Sequence, residues 1–73
     1  MMRYPYVPDI QLTERESMIL NLLAEGYNNK KMAELLQLSE HTVRDYVSSL
    51  ITKFKAKNRT QVVVYGFKLG LLK

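Results

Sequence analysis

The chain carries 73 residues, no cysteine and a single histidine, with 11 basic against 7 acidic side chains for a net charge of +4. That length allows one domain at most, and a domain so short buries only about 60% of the surface its unfolded chain exposes. Disulfides and a thiolate zinc site are excluded, and His41 cannot hold a metal by itself, so stability rests on helix packing, aided or not by a partner subunit.

A pI near 9.5 suits a nucleic acid or another anionic surface as partner, and suits equally a globular domain with no such partner. No apolar run approaches the ~20 residues of a membrane span. Residues 1–6 hold no apolar stretch of signal-peptide length, so no membrane association is expected. The lack of cysteine is compatible with the cytosol. Residues 1–11 read as an N-terminal tail or linker, because Pro5 and Pro8 block helix and hold their neighbours extended. Tyr4, Tyr6 and Val7 are its groups able to pack onto the domain or onto another partner. Residues 12–73 read as the folded domain.

The first helix is expected to begin at Thr13, where Thr13-Glu14-Arg15-Glu16 forms a capping box. Ile19, Leu22 and Leu23, with Met18, supply its apolar face, and Gly26 supplies the left-handed stop. The second helix is short and capped by Asn28 or Asn29. Met32, Ala33 and Leu36 form its inner stripe, with Ala33 small enough for another helix to come close. Gln37-Leu38 leaves room for only a tight turn, of the length that joins the two helices of a helix-turn-helix.

The third helix, residues 39–55, starts with Ser39-Glu40-His41-Thr42. Its apolar positions Val43, Val47, Leu50, Ile51 and Phe54 form an unbroken stripe. Arg44, Asp45, Ser48, Ser49 and Thr52 occupy the opposite face, and Lys53, Lys55 and Lys57 gather near its C-terminal end, where cations suit the helix dipole. The fourth helix, about 59–69, opens on a second capping box, Asn58-Arg59-Thr60-Gln61. The run 62–67 has strand propensity, yet the cap and the lack of a second strand to pair with favour helix. Gly70 is the expected stop, with Leu71-Leu72 folding back as a hydrophobic tail.

Together these segments resemble the LuxR/GerE-type helix-turn-helix. Leu12-Thr13-x-Arg15-Glu16 is similar to the family opening, and Leu22-Leu23-Ala24-x-Gly26 to the end of its first helix. Asn29-Lys30-x-Met32-Ala33-x-x-Leu36 matches the second helix, with Met where Ile is usual. Ser39-Glu40-x-Thr42-Val43-Arg44 matches the start of the recognition helix, and Lys53-Phe54 stands where Lys-Leu is usual. Asn58-Arg59-Thr60-Gln61 and Gly70-Leu71-Leu72 complete a resemblance that runs from Leu12 to the end of the chain.

The resemblance implies an all-α, four-helix helix-turn-helix domain with a three-helix core and a C-terminal dimerisation helix. It implies a bacterial, cytoplasmic transcriptional regulator that binds double-stranded DNA as a homodimer. Such a domain either stands alone or closes a response regulator or ligand-sensing protein, and RNA polymerase is a further candidate partner. No cofactor is expected. There is no nucleophile–base pair, phosphate-cradling loop or metal cluster, so no enzyme is expected either.

A helix fits the major groove, where its exposed side chains reach base edges. The family's reading positions map onto Arg44, Asp45 and Ser48, and Arg44 can pair bidentately with guanine. Asp45 is repelled by phosphates unless it accepts from cytosine or orients Arg44, and the orienting role is the favoured expectation. Candidate phosphate contacts are Asn29 and Lys30 at the start of the second helix, Ser49 and Thr52 on the third, and more weakly Thr42 and Arg59. Tyr46 stands where His is common, with its hydroxyl toward a phosphate or toward the first helix, or simply packed. Ser49 stands where Asn is common. His41 can touch phosphate or be incidental.

Four consecutive apolar residues on the fourth helix cannot all face one core. Val62, Tyr65 and Leu69 share one side, and Val63, Val64 and Phe67 are the candidate dimer surface, weak without DNA. Gly66 replaces the usual Ala at about 1 kcal/mol of helix propensity, giving either a closer helix approach or a weaker helix. The competing reading is a helical protein-interaction module that keeps the shape without binding DNA, supported by Asp45 and Ser49.

Overall fold

Every helix start is built by a local cap. Thr13 Oγ1 accepts the Glu16 N–H at 3.1 Å and Glu16 Oε1 accepts the Thr13 N–H at 2.9 Å, so the first capping box is closed. Asn28, the first of the two asparagine candidates, caps Lys31 N–H at 2.8 Å, and Ser39 Oγ caps Thr42 N–H at 3.0 Å. At the fourth start the box is only half formed. Asn58 Oδ1 accepts the Gln61 N–H at 2.8 Å, but Gln61 Oε1 turns to the N–H of Lys57, at 2.7 Å, rather than to that of Asn58.

The computed structural model describes residues 10–72, so the reading of Tyr4, Tyr6, Val7 and the two prolines falls outside the described residues. The helices are α1 (Glu14–Ala24), α2 (Asn29–Leu36), α3 (Glu40–Phe54) and α4 (Arg59–Lys68), with no strand among the described residues. The run 62–67 is therefore helical. Ile10 and Leu12 pack against the core, so the packed unit reaches into the stretch read as tail.

Two glycine stops behave as expected. Gly26 (φ 92°) and Gly70 (φ 72°) turn left-handed, and the Tyr27 N–H reaches back to the Leu22 carbonyl while the Leu71 N–H reaches that of Gly66, the paired bonds of a Schellman end. The other two stops carry no such signal. Gln37 and Lys55 enter the left-handed region at φ 57° and 54°, a conformation costing a non-glycine residue about 1–2 kcal/mol. The bonds from Leu38 N–H to Ala33 and from Ala56 N–H to Ile51, both 2.9 Å, close those ends.

The core gathers one stripe from each helix: Ile19, Leu20 and Leu23 from α1, Met32 and Ala33 from α2, Val43, Val47, Leu50 and Phe54 from α3, and Val62 and Tyr65 from α4. Helix α3 packs against all three others. On α1 the buried line runs Glu16, Ile19, Leu20, Leu23, the i, i+3, i+4, i+7 positions of a single face. Met18, assigned to the inner face from sequence, is 45% exposed, and Leu20 takes its place. The face is rotated because it continues through the carboxylate of Glu16, the one buried charged residue among those described.

Gly66 is buried against α1. A Cβ there would lie 3.3 Å from both Leu20 δ-carbons and 3.4 Å from Leu72 Cγ, so its role is the close helix approach. Leu71 and Leu72 fold back against the core, as expected.

Candidate nucleic-acid interface

With Val43, Val47, Leu50 and Phe54 turned inward, α3 presents Arg44, Asp45, Ser48, Ser49 and Thr52 to solvent. Arg44, Asp45 and Ser48 thus form one continuous exposed edge. Thr42 and Tyr46 are half-buried beside it, with Tyr46 packed against the core and Thr42 Oγ1 accepting from Ser39 Oγ at 2.9 Å.

Asp45, expected to accept from cytosine or to orient Arg44, meets Arg44 through a third residue. Neighbours on a helix do not face each other, whereas residues three and four apart do. Both side chains reach back one turn to His41 instead: Arg44 Nη2 lies 3.5 Å from His41 Nδ1, and Asp45 Oδ2 lies 3.4 Å from His41 Nε2. The imidazole sits between the two charges.

Asp45 also borders a shallow hollow of about 320 Å³ shared with Glu16, Thr42, Tyr46 and Ser49. Ser49 Oγ points to Glu16 Oε2 at 3.5 Å. Lys53 Nζ donates to Glu16 Oε1 at 2.7 Å and to the Gln11 carbonyl at 3.1 Å. Burial pushes the Glu16 carboxyl up, but hydrogen bonds from Lys53 and Thr13, with the ammonium charge, outweigh it and hold the carboxyl below the ordinary glutamate range.

At the start of α2, Lys30 is exposed. Asn29 Oδ1 is buried without a hydrogen-bond partner among the described residues. Arg59 lies apart from the α3 edge. It lines a cleft of about 330 Å³ with Leu23, Gly26, Tyr27, Thr60, Val63 and Val64, and its Nη2 is likewise buried without a partner among the described residues. Val64, which lines that cleft, and Phe67 are both exposed, Phe67 by 67%. Among the described residues no group of three or more His, Asp or Glu side chains could hold a metal ion, and no helix is long and apolar enough to cross a membrane.

Residues 10–66 match the family described as bacterial regulatory proteins, luxR family. The chain belongs to that family. It carries the DNA-binding helix-turn-helix of LuxR-family transcriptional regulators. The transcriptional regulatory protein LnrK of Bacillus subtilis is 42% identical over 62 residues, 85% of this chain and 28% of the relative. The solved transcription factor GerE superposes with a TM-score of 0.80 at 37% identity, covering 85% of this chain and 92% of that one. A Vibrio cholerae VqmA dimer, solved without its target DNA, superposes at 0.82 with 32% identity, covering 86% of this chain and 28% of that one. The chain therefore spans about a quarter of the length of LnrK and VqmA.

Within this LuxR-family domain, two relationships go beyond the sequence-based expectations. Glu16 does more than cap: its place on the Ile19–Leu23 face signals burial and hence a need for a cation. His41, which on sequence can touch phosphate or be incidental, has the i−3 and i−4 spacing to Arg44 and Asp45 that makes it their meeting point.

Proposed function

We propose that this LuxR-family domain binds double-stranded DNA sequence-specifically as a homodimer and so regulates transcription in the cytoplasm, without catalysis of its own. The observation that carries the reading is the α3 edge. A helix anchored along one face by Val43, Val47, Leu50 and Phe54 holds Arg44, Asp45 and Ser48 outward together. Such an edge fits the major groove with the N-terminal half of the helix against the bases.

In this reading Arg44 contacts guanine, and Asp45 and Ser48 complete the reading edge. Asn29, Lys30, Thr42, Tyr46, Ser49 and Thr52 face the phosphates. Arg59, a weaker phosphate candidate, lines a cleft with Val63 and Val64, which together with Phe67 form the dimer surface in this reading. The solved VqmA relative is itself a dimer with a target DNA, which supports the same assembly here. RNA polymerase is a further partner of the DNA-bound dimer.

Selection from a random duplex library, followed by mobility shift at graded salt, tests the proposal. The domain should enrich a two-fold symmetric site, with affinity falling steeply as salt rises. Failure to retain any duplex at low salt would favour the protein-interaction module instead.

A further inference from the structure

We propose that His41 is a specificity-determining residue of the DNA-reading edge, acting by its protonation state on where Arg44 points; the inference rests on the DNA-binding reading above. A guanidinium has only donors. For Arg44 Nη2 to bond His41 Nδ1, at 3.5 Å, that nitrogen must accept, so the imidazole is neutral with its proton on Nε2. Asp45 Oδ2 lies 3.4 Å from Nε2, on the side of the ring that carries the proton. Neutral His41 thus links Arg44 to Asp45 and draws the guanidinium back by one helical turn.

A proton on Nδ1 removes the acceptor and sets two cations against each other, while the attraction of His41 to Asp45 is strengthened. Arg44 is then released toward the groove. The edge also gains one positive charge facing the phosphates, and the one carboxylate that opposed them is neutralised in a pair. The two protonation states therefore present different side chains to the bases, not merely different charge.

Beside these three, Glu40 precedes His41 in the first turn of α3 and is exposed. From α1, Glu16 borders the same hollow as Asp45 and is paired with Lys53. From α2, Lys31 and Glu34 are paired with each other at 3.8 Å, and from α4 Arg59 lines the cleft beside Leu23 and Tyr27. His41 and Asp45 side chains are 74% and 68% exposed, so substitutions there leave the core untouched. His41 is also the single histidine in the chain.

The test uses the whole chain, the random duplex library, and two variants checked for helicity by circular dichroism. His41→Gln can accept from Arg44 and donate to Asp45 without titrating, and so holds the neutral arrangement. His41→Lys keeps the pair with Asp45 and offers Arg44 no acceptor, and so holds the protonated one. Between about pH 8 and about pH 5.5, spanning the imidazole range, wild type should pass from the base preference of His41→Gln to that of His41→Lys. Guanine discrimination should rise about tenfold, the scale of one bidentate arginine contact, and the salt slope should steepen by about one charge. Wild type whose preference ignores pH, or His41→Gln that keeps the wild-type pH dependence, would overturn the inference alone. Wild type that retains no duplex at either pH would overturn the DNA reading and this inference with it.

Discussion

Lys53 Nζ stands 2.7 Å from Glu16 Oε1 and joins the last turn of α3 to the first turn of α1. Glu16 is 7% exposed, and a carboxylate so placed is costly unless it is paired and hydrogen-bonded. Thr13 and Lys53 together meet that need. The same lysine holds the Gln11 carbonyl, so one ammonium fixes the entering chain, the first helix and the recognition helix in a single arrangement.

Glu16 should make stability depend on acid. A carboxyl held below its unfolded value in the fold stabilises the fold at pH above that unfolded value and loses the contribution as pH falls through the folded one. Thermal melts should therefore fall on acidification below the ordinary glutamate value of 4.5. Glu16→Gln, which retains an acceptor for Thr13 but no charge for Lys53, should flatten part of that slope. Glu16→Ala at neutral pH loses cap and pair together, about 2 kcal/mol, or roughly 10 °C in Tm for a domain this size. A cycle with Lys53→Met that shows no coupling would refute the pairing as a source of stability.

Gly66 predicts a graded response. In Gly66→Ala the helix-propensity gain of about 1 kcal/mol opposes the crowding of Leu20 and Leu72. The net change by chemical denaturation should stay under about 1 kcal/mol. Gly66→Val adds branches toward the fully buried Leu20 and should cost more than about 2 kcal/mol. Equal effects of the two would mean that the α1–α4 approach is not what requires the glycine.

Phe67 separates fold from assembly. It is 67% exposed, so Phe67→Ala should alter the stability of the single chain by less than about 0.5 kcal/mol. Sedimentation should nonetheless show a weaker dimer, and affinity for a two-half-site duplex should drop more than affinity for a single half-site. Unchanged self-association would remove α4 as the dimer surface.

Arg44 and Lys30 should fail differently. Arg44→Ala should lose about 1–3 kcal/mol at its cognate base and relax preference there. Lys30→Ala should weaken binding to every duplex alike and reduce the salt slope by about one unit. The contrast is read from binding isotherms on cognate and scrambled duplexes at several salt concentrations.

Sequence alone determined the four helices, most of their caps and the two glycine stops, because each depends on groups within about four residues of one another and on a period of 3.6; the choice of Asn28 over Asn29 and the turn of Gln61 to Lys57 came from the fold. It also determined which face of α3 is apolar, and hence that Arg44, Asp45 and Ser48 look outward. Tertiary structure decided what crosses between helices. Leu20 rather than Met18 faces the core because the α1 face turns to include Glu16, and that turn is favourable only where Lys53 of α3 waits for the carboxylate. Gly66 tightens α4 onto α1 only because Leu20 and Leu72 meet there. Even the Arg44–His41–Asp45 link, whose spacing lies within one helix, needed the folded chain to settle which rotamers stay free at the surface. Helix periodicity fixes a side chain's direction, whereas its partner depends on which neighbours the packing brings within reach.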